Sequence, residues 1–234
     1  MIIAPEDFLE SDDKKPGSVS LSTKAYQTLR KKIISLELPP GSIVDENELM
    51  DELGVGRTPL REALQRLALE KLVSIVPRRG MFVTDIGITD LQRLFEVRLQ
   101  LETLAARLAA KRGTQEHWQR MEAALDSLPP EDRPLDNQAL IIVDEYCHQI
   151  LYEAADNKFL ADAATTLYAL SLRLWYYFLN RIGDMRGAIL EHRDILKALK
   201  EQDSEKAGQL LEGHIRAFQE EIQAAMFGIS TEEE

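Results

Sequence analysis

Asp144 and His148 stand four residues apart in the segment VDEYCHQIL, so on a helix they share one face. His192, in EHRDILKAL, and His214, in EGHIRAF, lie on the last two segments of helical period. Those segments turn near residues 202–203. His192 is about ten residues before the turn and His214 about eleven after it; at about 1.5 Å per residue both sit about 16 Å away. An antiparallel hairpin therefore sets the two imidazoles level. One carboxylate and three imidazoles converging inside a helical bundle form a site for a divalent metal such as Zn²⁺ or Ni²⁺. The same spacing is compatible with isolated polar residues on partly buried faces. The fourth histidine, His117 beside Trp118, falls outside this geometry. Cys147 adjoins His148 but diverges by about 100° around the helix, off the ligand face.

A second group of residues suits nucleic acid. Arg57, Thr58 and Arg61 fall in the first turn of a helix that follows a very short break at Gly54. Arg57 and Arg61 project from one side, opposite Leu60, Leu64 and Leu67. Arginine reads guanine through two parallel hydrogen bonds, and a threonine hydroxyl suits a phosphate. Arg78, Arg79 and Gly80 lie between two short β-type runs, VSIV and MFVT. A glycine there lets the backbone approach a duplex closely. Taken singly, Arg57 and Arg61 also read as solvated charges paired with Glu62 or Glu52. Their order within a helix-turn-helix with a basic wing points to double-stranded DNA.

These residues need elements to hold them. Leu21, Ala25, Leu29, Ile33 and Leu36 recur at helical spacing, and Pro39-Pro40-Gly41 ends the pattern. Asp45, with Glu48 three residues on, opens a short second helix that stops at Gly54. The third helix tolerates Pro59 in its first turn. The paired runs 73–76 and 81–84 then form a hairpin. Helix, helix, tight turn, helix, hairpin is the order of a winged helix-turn-helix. After Asp85 only helical patterns follow, over 89–111, 115–127, 136–155, 158–181, 185–201 and 204–227. Thr89 with Gln92 reads as a capping box and Asp136 as an N-cap. Gly113, Pro129-Pro130 and Pro134 punctuate the joins. The expected fold is mainly α: a winged helix-turn-helix over 18–85, then an all-α antiparallel bundle over 86–228. A polar arm, 1–17, and an acidic tail, 229–234, flank them.

Composition narrows the function classes. The 234 residues suit one or two domains, and 44% hydrophobic with 29% charged content excludes global disorder. No apolar run reaches the roughly 18 residues of a membrane span. The N-terminus is acidic where a signal peptide is basic, and the single cysteine fits a reducing compartment, so a cytoplasmic location is expected. The net charge of −12 opposes indiscriminate binding to nucleic acid, but it is uneven. Residues 1–17 carry −3, residues 18–85 carry +1 and residues 86–234 carry −10. Only the middle segment lacks an acidic excess, so it is the part suited to a phosphate backbone.

RTPLREAL followed by LVSIVPRRGMFV closely resembles the recognition-helix and wing signature of the GntR family of bacterial transcription regulators, over about residues 21–227. The resemblance implies that Arg57, Arg61 and Gly80 contact operator DNA. Two positions depart from the family pattern: Gly56 stands where serine or threonine is usual, and Lys71 where glycine is usual. The helical half is similar to the ligand-binding domain of the FadR subfamily, called FCD. Many members hold a metal through an Asp-x-x-x-His pair and two later histidines, positions that match Asp144, His148, His192 and His214. The resemblance also implies a small carboxylate effector near the metal, gripped by Arg98, which otherwise reads as an i,i+4 partner of Glu102. Arg173 and Arg181 are weaker candidates for the same contact. The aromatic run 174–179 reads as part core and part interface.

The expected function is a ligand-responsive repressor or activator that binds a palindromic operator as a homodimer, without a membrane. A metal sensor, in which the ion is the signal, is the alternative. A metal-dependent enzyme is the less favoured one. No nucleophile, phosphate loop or acid–base pair accompanies the histidines, and catalysis needs no DNA-binding module.

Overall fold

The structure is a computed structural model that describes residues 20–87, 90–128, 137–182 and 185–227. The N-terminal arm, Thr89 of the expected capping box, Asp136, Pro129-Pro130, Pro134 and the acidic tail lie outside the described residues.

The chain forms two compact units. In the first, α1 (Leu21–Ile34), α2 (Glu46–Leu53) and α3 (Arg57–Leu69) precede β1 (Val73–Val76) and β2 (Gly80–Val83). Ser20 caps α1 by accepting the Thr23 N–H. Leu36, expected on the inner face of that helix, instead lies beyond its end with φ of 63°. Asp45 caps α2 by accepting the N–H groups of Asn47 and Glu48, and Gly54 ends it at φ of 61°. Gly56, which lacks a side chain, leaves α3 without a side-chain cap. The three helices and the hairpin bury Ala25, Leu29, Leu49, Leu60, Leu64 and Leu67 in one core. The strands are antiparallel, with Val73 opposite Val83 and Val76 opposite Gly80. Ile43 adds an isolated bridge to Phe82.

The second unit is helical: α4 (Leu91–Arg112), α5 (Gln115–Asp126), α6 (Asn137–Ala154), α7 (Lys158–Phe178), α8 (Arg186–Lys200) and α9 (Ser204–Phe227). A 3-10 turn, Leu179–Arg181, follows α7. Helix α8 packs against α5, α6 and α9. Gly113 follows α4, where the Trp118 ring closes over it; a Cβ would lie 2.2 Å from that ring. His117, set aside as a ligand, accepts the Thr114 N–H at the start of α5.

Segment 168–177 of α7 clusters with the winged unit rather than with the bundle. There Arg173, 2% exposed, donates to the Thr84 hydroxyl at 2.7 Å and the Thr84 carbonyl at 2.5 Å. That hydroxyl in turn donates to the Lys71 carbonyl at 2.8 Å. Arg173 is thus committed to structure rather than poised for an effector. Along the aromatic run, Leu174, Trp175 and Phe178 are buried while Tyr177 is exposed. No described helix is long and apolar enough to cross a membrane.

Candidate functional site

In the winged unit, the start of α3 presents Arg57, Thr58 and Arg61, all exposed, while Leu60, Ala63, Leu64 and Leu67 are buried. The helix therefore offers one basic edge because its apolar stripe fixes its rotation. Arg61 is not a solitary cation. Its Nε donates to Glu46 Oε2 at 2.9 Å and its Nη2 to Glu46 Oε1 at 3.2 Å, joining α3 to the first turn of α2. Among the described residues Arg57 has no such partner. Arg78, Arg79 and Gly80 are exposed at the hairpin tip. Arg78 and Gly80 take φ of 64° and 105°, and the Arg79 guanidinium lies 6.0 Å from the Phe82 ring centroid. Lys71 has φ of 63°, a conformation that costs an L-residue strain and suits glycine.

In the bundle, the four residues chosen from spacing come together. Asp144, His148, His192 and His214 are all buried, and one ligand atom from each lies within 4.8 Å of the others. Asp144 and His148 are one turn apart on α6, the most buried of the bundle helices in its inner face. His192 projects from the apolar stripe of α8 beside Ile189, Ile195 and Leu196. The turn after α8 closes with the Asp203 N–H donating to the Ala198 carbonyl at 3.0 Å. Helix α9 then returns along α8, and the His192 and His214 rings meet at 4.4 Å between centroids.

The donor set fits a metal ion by three observations. First, the Nε2 atoms of His214, His192 and His148 lie 3.4, 3.6 and 3.8 Å from Asp144 oxygens. Ligands about 2.0–2.1 Å from one ion in tetrahedral array stand about 3.3 Å apart. Second, Nε2 of the buried His192, the nitrogen facing Asp144 at 3.6 Å, has no hydrogen-bond partner among the described residues, while the Ile189 backbone interacts with the ring. A buried polar atom left in that state is costly unless something else satisfies it. Third, the outward nitrogens of the other two histidines are held by carboxylates. His148 Nδ1 lies 2.7 Å from Glu102 Oε2, and His214 Nδ1 lies 2.9 Å from Glu191 Oε2. Such partners select the tautomer that leaves Nε2 to coordinate.

Glu102 connects this site to Arg98. Arg98 Nε donates to Glu102 Oε1 at 2.5 Å, and the Tyr152 hydroxyl donates to Oε2 at 2.7 Å. Both members of the ion pair are buried, and Arg98 also lies near the faces of Phe95 and Phe218. The i,i+4 pairing of Arg98 is therefore realised. Burial works against the Glu102 carboxylate, but Arg98 and His148 outweigh it and hold its pKa at about 2.

The cluster is electrostatically divided. Burial, assisted by the neighbouring His214, pushes His192 down to about 3, so the ring is neutral. Burial also opposes charge on His214, but the Asp144 and Glu191 carboxylates prevail and raise it to about 9. Asp144 is held well below the usual carboxylate range: burial acts against its charge, and the three histidines overcome it. Burial and the Asp144 charge push the Cys147 thiol up, which keeps it a neutral core group. The supporting residues Glu102, Tyr152 and Glu191 escape sequence reading as site residues. Tyr152 carried one usable signal, its place one turn beyond His148.

Residues 21–83 match the family of bacterial regulatory proteins named gntR, and residues 93–217 match the FCD domain, which alone covers more than half of the chain. The chain is 31% identical over 212 residues to an HTH-type transcriptional regulator in an unstable DNA locus of Streptomyces ambofaciens, covering 85% of this chain and 83% of that one. It is 26% identical over 204 residues to the HTH-type transcriptional repressor RspR of Escherichia coli K12, covering 86% and 89%. The solved structure of E. coli McbR/YncC has a TM-score of 0.78 at 24% identity, covering 90% of this chain and 99% of that one, which supports the fold. The chain belongs to the GntR family of bacterial transcription regulators, with a gntR winged-helix domain followed by an FCD domain.

Proposed function

We propose that this regulator binds a palindromic operator as a homodimer and that a small organic acid, bound beside a divalent metal in the FCD domain, alters that binding. Asp144, His148, His192 and His214 would hold the ion, with Zn²⁺ favoured and Ni²⁺ suited to the same donors. The ion supplies a Lewis acid that attracts a carboxylate. Glu102 and Glu191 orient two of the imidazoles, and Arg98 adds a guanidinium that can grip the effector. Arg57, Thr58 and Arg61 would read the major groove from α3, and Arg78, Arg79 and Gly80 would contact the duplex from the wing. Effector binding acts by shifting the population between DNA-competent and DNA-incompetent states.

The observation that carries this reading is the buried His192 ring, whose Nε2 has no hydrogen-bond partner among the described residues, within a histidine–carboxylate cluster whose other rings are turned inward. Native mass spectrometry of protein purified without chelators, with elemental analysis of the same sample, tests it. The expected result is a dimer with one Zn²⁺ or Ni²⁺ per chain. A metal-free protein that also takes up neither ion when it is added overturns the metal-centred reading. The metal-sensing alternative is distinguished by whether the ion alone changes operator affinity.

A further inference from the structure

We infer that Glu46 is a specificity-determining residue that positions Arg61 as a reader of guanine and keeps it from acting as a phosphate clamp. This rests on the reading of α3 as the recognition helix. The bidentate pair uses Nε and Nη2, which form one edge of the guanidinium. Arginine has five N–H donors in a fixed fork. With one edge spent on the carboxylate, the Nη1–Nη2 end is the remaining edge with two parallel donors. That end matches guanine O6 and N7.

Glu46 is well placed to impose this choice. It sits in the first turn of α2, where a carboxylate is favoured by the helix dipole whether or not Arg61 is bound to it. Its side chain is 23% exposed while that of Arg61 is 54% exposed, so the carboxylate backs the guanidinium and the free end faces solvent. A phosphate approaching Arg61 would bring a second anion against Glu46. Base edges carry no such charge and escape this repulsion. The carboxylate therefore weakens contact with DNA of any sequence more than contact with a correctly placed guanine. Discrimination arises partly from what is repelled.

Glu48 provides an internal control. It lies in the same first turn and carries the same charge, but it is exposed, and among the described residues the carboxylate that pairs with Arg61 is that of Glu46. The test uses the full-length protein. In vitro selection from random duplexes defines the preferred operator. Fluorescence anisotropy then measures affinity for that operator and for an unselected duplex across a salt series. Glu46→Gln should tighten binding to the unselected duplex and lower the operator-to-unselected ratio about tenfold, the scale of one good bidentate base contact. The salt slope on unselected DNA should steepen by about one, as Arg61 becomes free to engage a phosphate. Glu48→Gln should leave the ratio near wild type.

Equal changes in the two variants would reduce the effect to general charge and overturn the inference. So would parallel losses on both duplexes in Glu46→Gln, which would assign Glu46 to the stability of α2 alone. Failure of the wild-type protein to enrich any sequence would instead overturn the recognition-helix reading beneath it.

Discussion

Glu102 joins Arg98 on its own helix to His148 and Tyr152 on α6. Replacing it with glutamine keeps its shape but removes the charge that fixes the His148 tautomer. Glu102→Gln should weaken Zn²⁺ binding by about 10–100-fold, the usual scale for an outer partner of a ligating histidine. Competition with a chromophoric chelator measures this; unchanged affinity would confine Glu102 to its ion pair. His192→Ala removes a ligand itself and should leave the protein depleted of metal. On the DNA side, Arg57 has no hydrogen-bond or ion-pair partner among the described residues, so Arg57→Ala should lose about 1–3 kcal/mol of operator binding without disturbing the bundle. Operator affinity equal to wild type would remove Arg57 from the reading face.

Proton linkage follows from the same residues. In the metal-free protein His214 holds its proton up to about pH 9, with Nε2 toward Asp144. Coordination through Nε2 must displace that proton, whereas His192, with its pKa near 3, is already neutral at physiological pH. Metal affinity should therefore rise about tenfold per pH unit from neutrality and level off above about pH 9, with about one proton released per ion. Calorimetry in buffers of different ionisation enthalpy reads this directly. The sign for the metal-free fold is opposite. A raised His214 pKa contributes stability that is full below the ordinary imidazole range and is lost as pH rises through about 9.

At the scale of elements, Lys71 is a local conflict. Its φ of 63° costs an L-residue about 1–2 kcal/mol, and glycine would avoid that at an entropic cost of about 0.5–1 kcal/mol. Lys71→Gly should thus stabilise the winged unit by about 0.5–1 kcal/mol in urea unfolding. A loss of stability would mean that the lysine side chain outweighs the strain. Most elements were legible because their signals are local. Periodic leucines and the Asp45 and Gly54 caps mark α2 and its limits, and the bundle helices lie within a few residues of their expected spans. Leu36 continued the apolar period of α1 but falls outside the helix, because periodicity does not report where φ turns positive. The clustering of the four candidate ligands was legible through Asp144 and His148 one turn apart and through equal spacing of His192 and His214 about their turn. Glu102, Glu191 and Glu46 were not, because each acts on a residue of another helix, and no one-dimensional period encodes that pairing.

Across the whole molecule, charge and packing divide the chain differently. The larger acidic excess lies after residue 85, and residues 21–83 form the helix-turn-helix and hairpin. Helix α7, however, is one continuous helix whose Tyr168–Tyr177 segment clusters with the winged unit while its earlier residues belong to the bundle. A boundary drawn from texture alone cannot find such sharing, because helical period is the same on both sides. The molecule-level claim is that metal and organic acid together govern DNA binding. It is tested most directly by operator affinity of the full-length protein, metal-stripped, loaded with Zn²⁺, and loaded with Zn²⁺ plus each of a panel of small carboxylic acids. Zn²⁺ alone is expected to leave affinity near that of the stripped protein. At least one acid added with Zn²⁺ should shift it by about fivefold or more, and the shift should vanish in His192→Ala. A full response to Zn²⁺ alone, or no response to any acid, would contradict it.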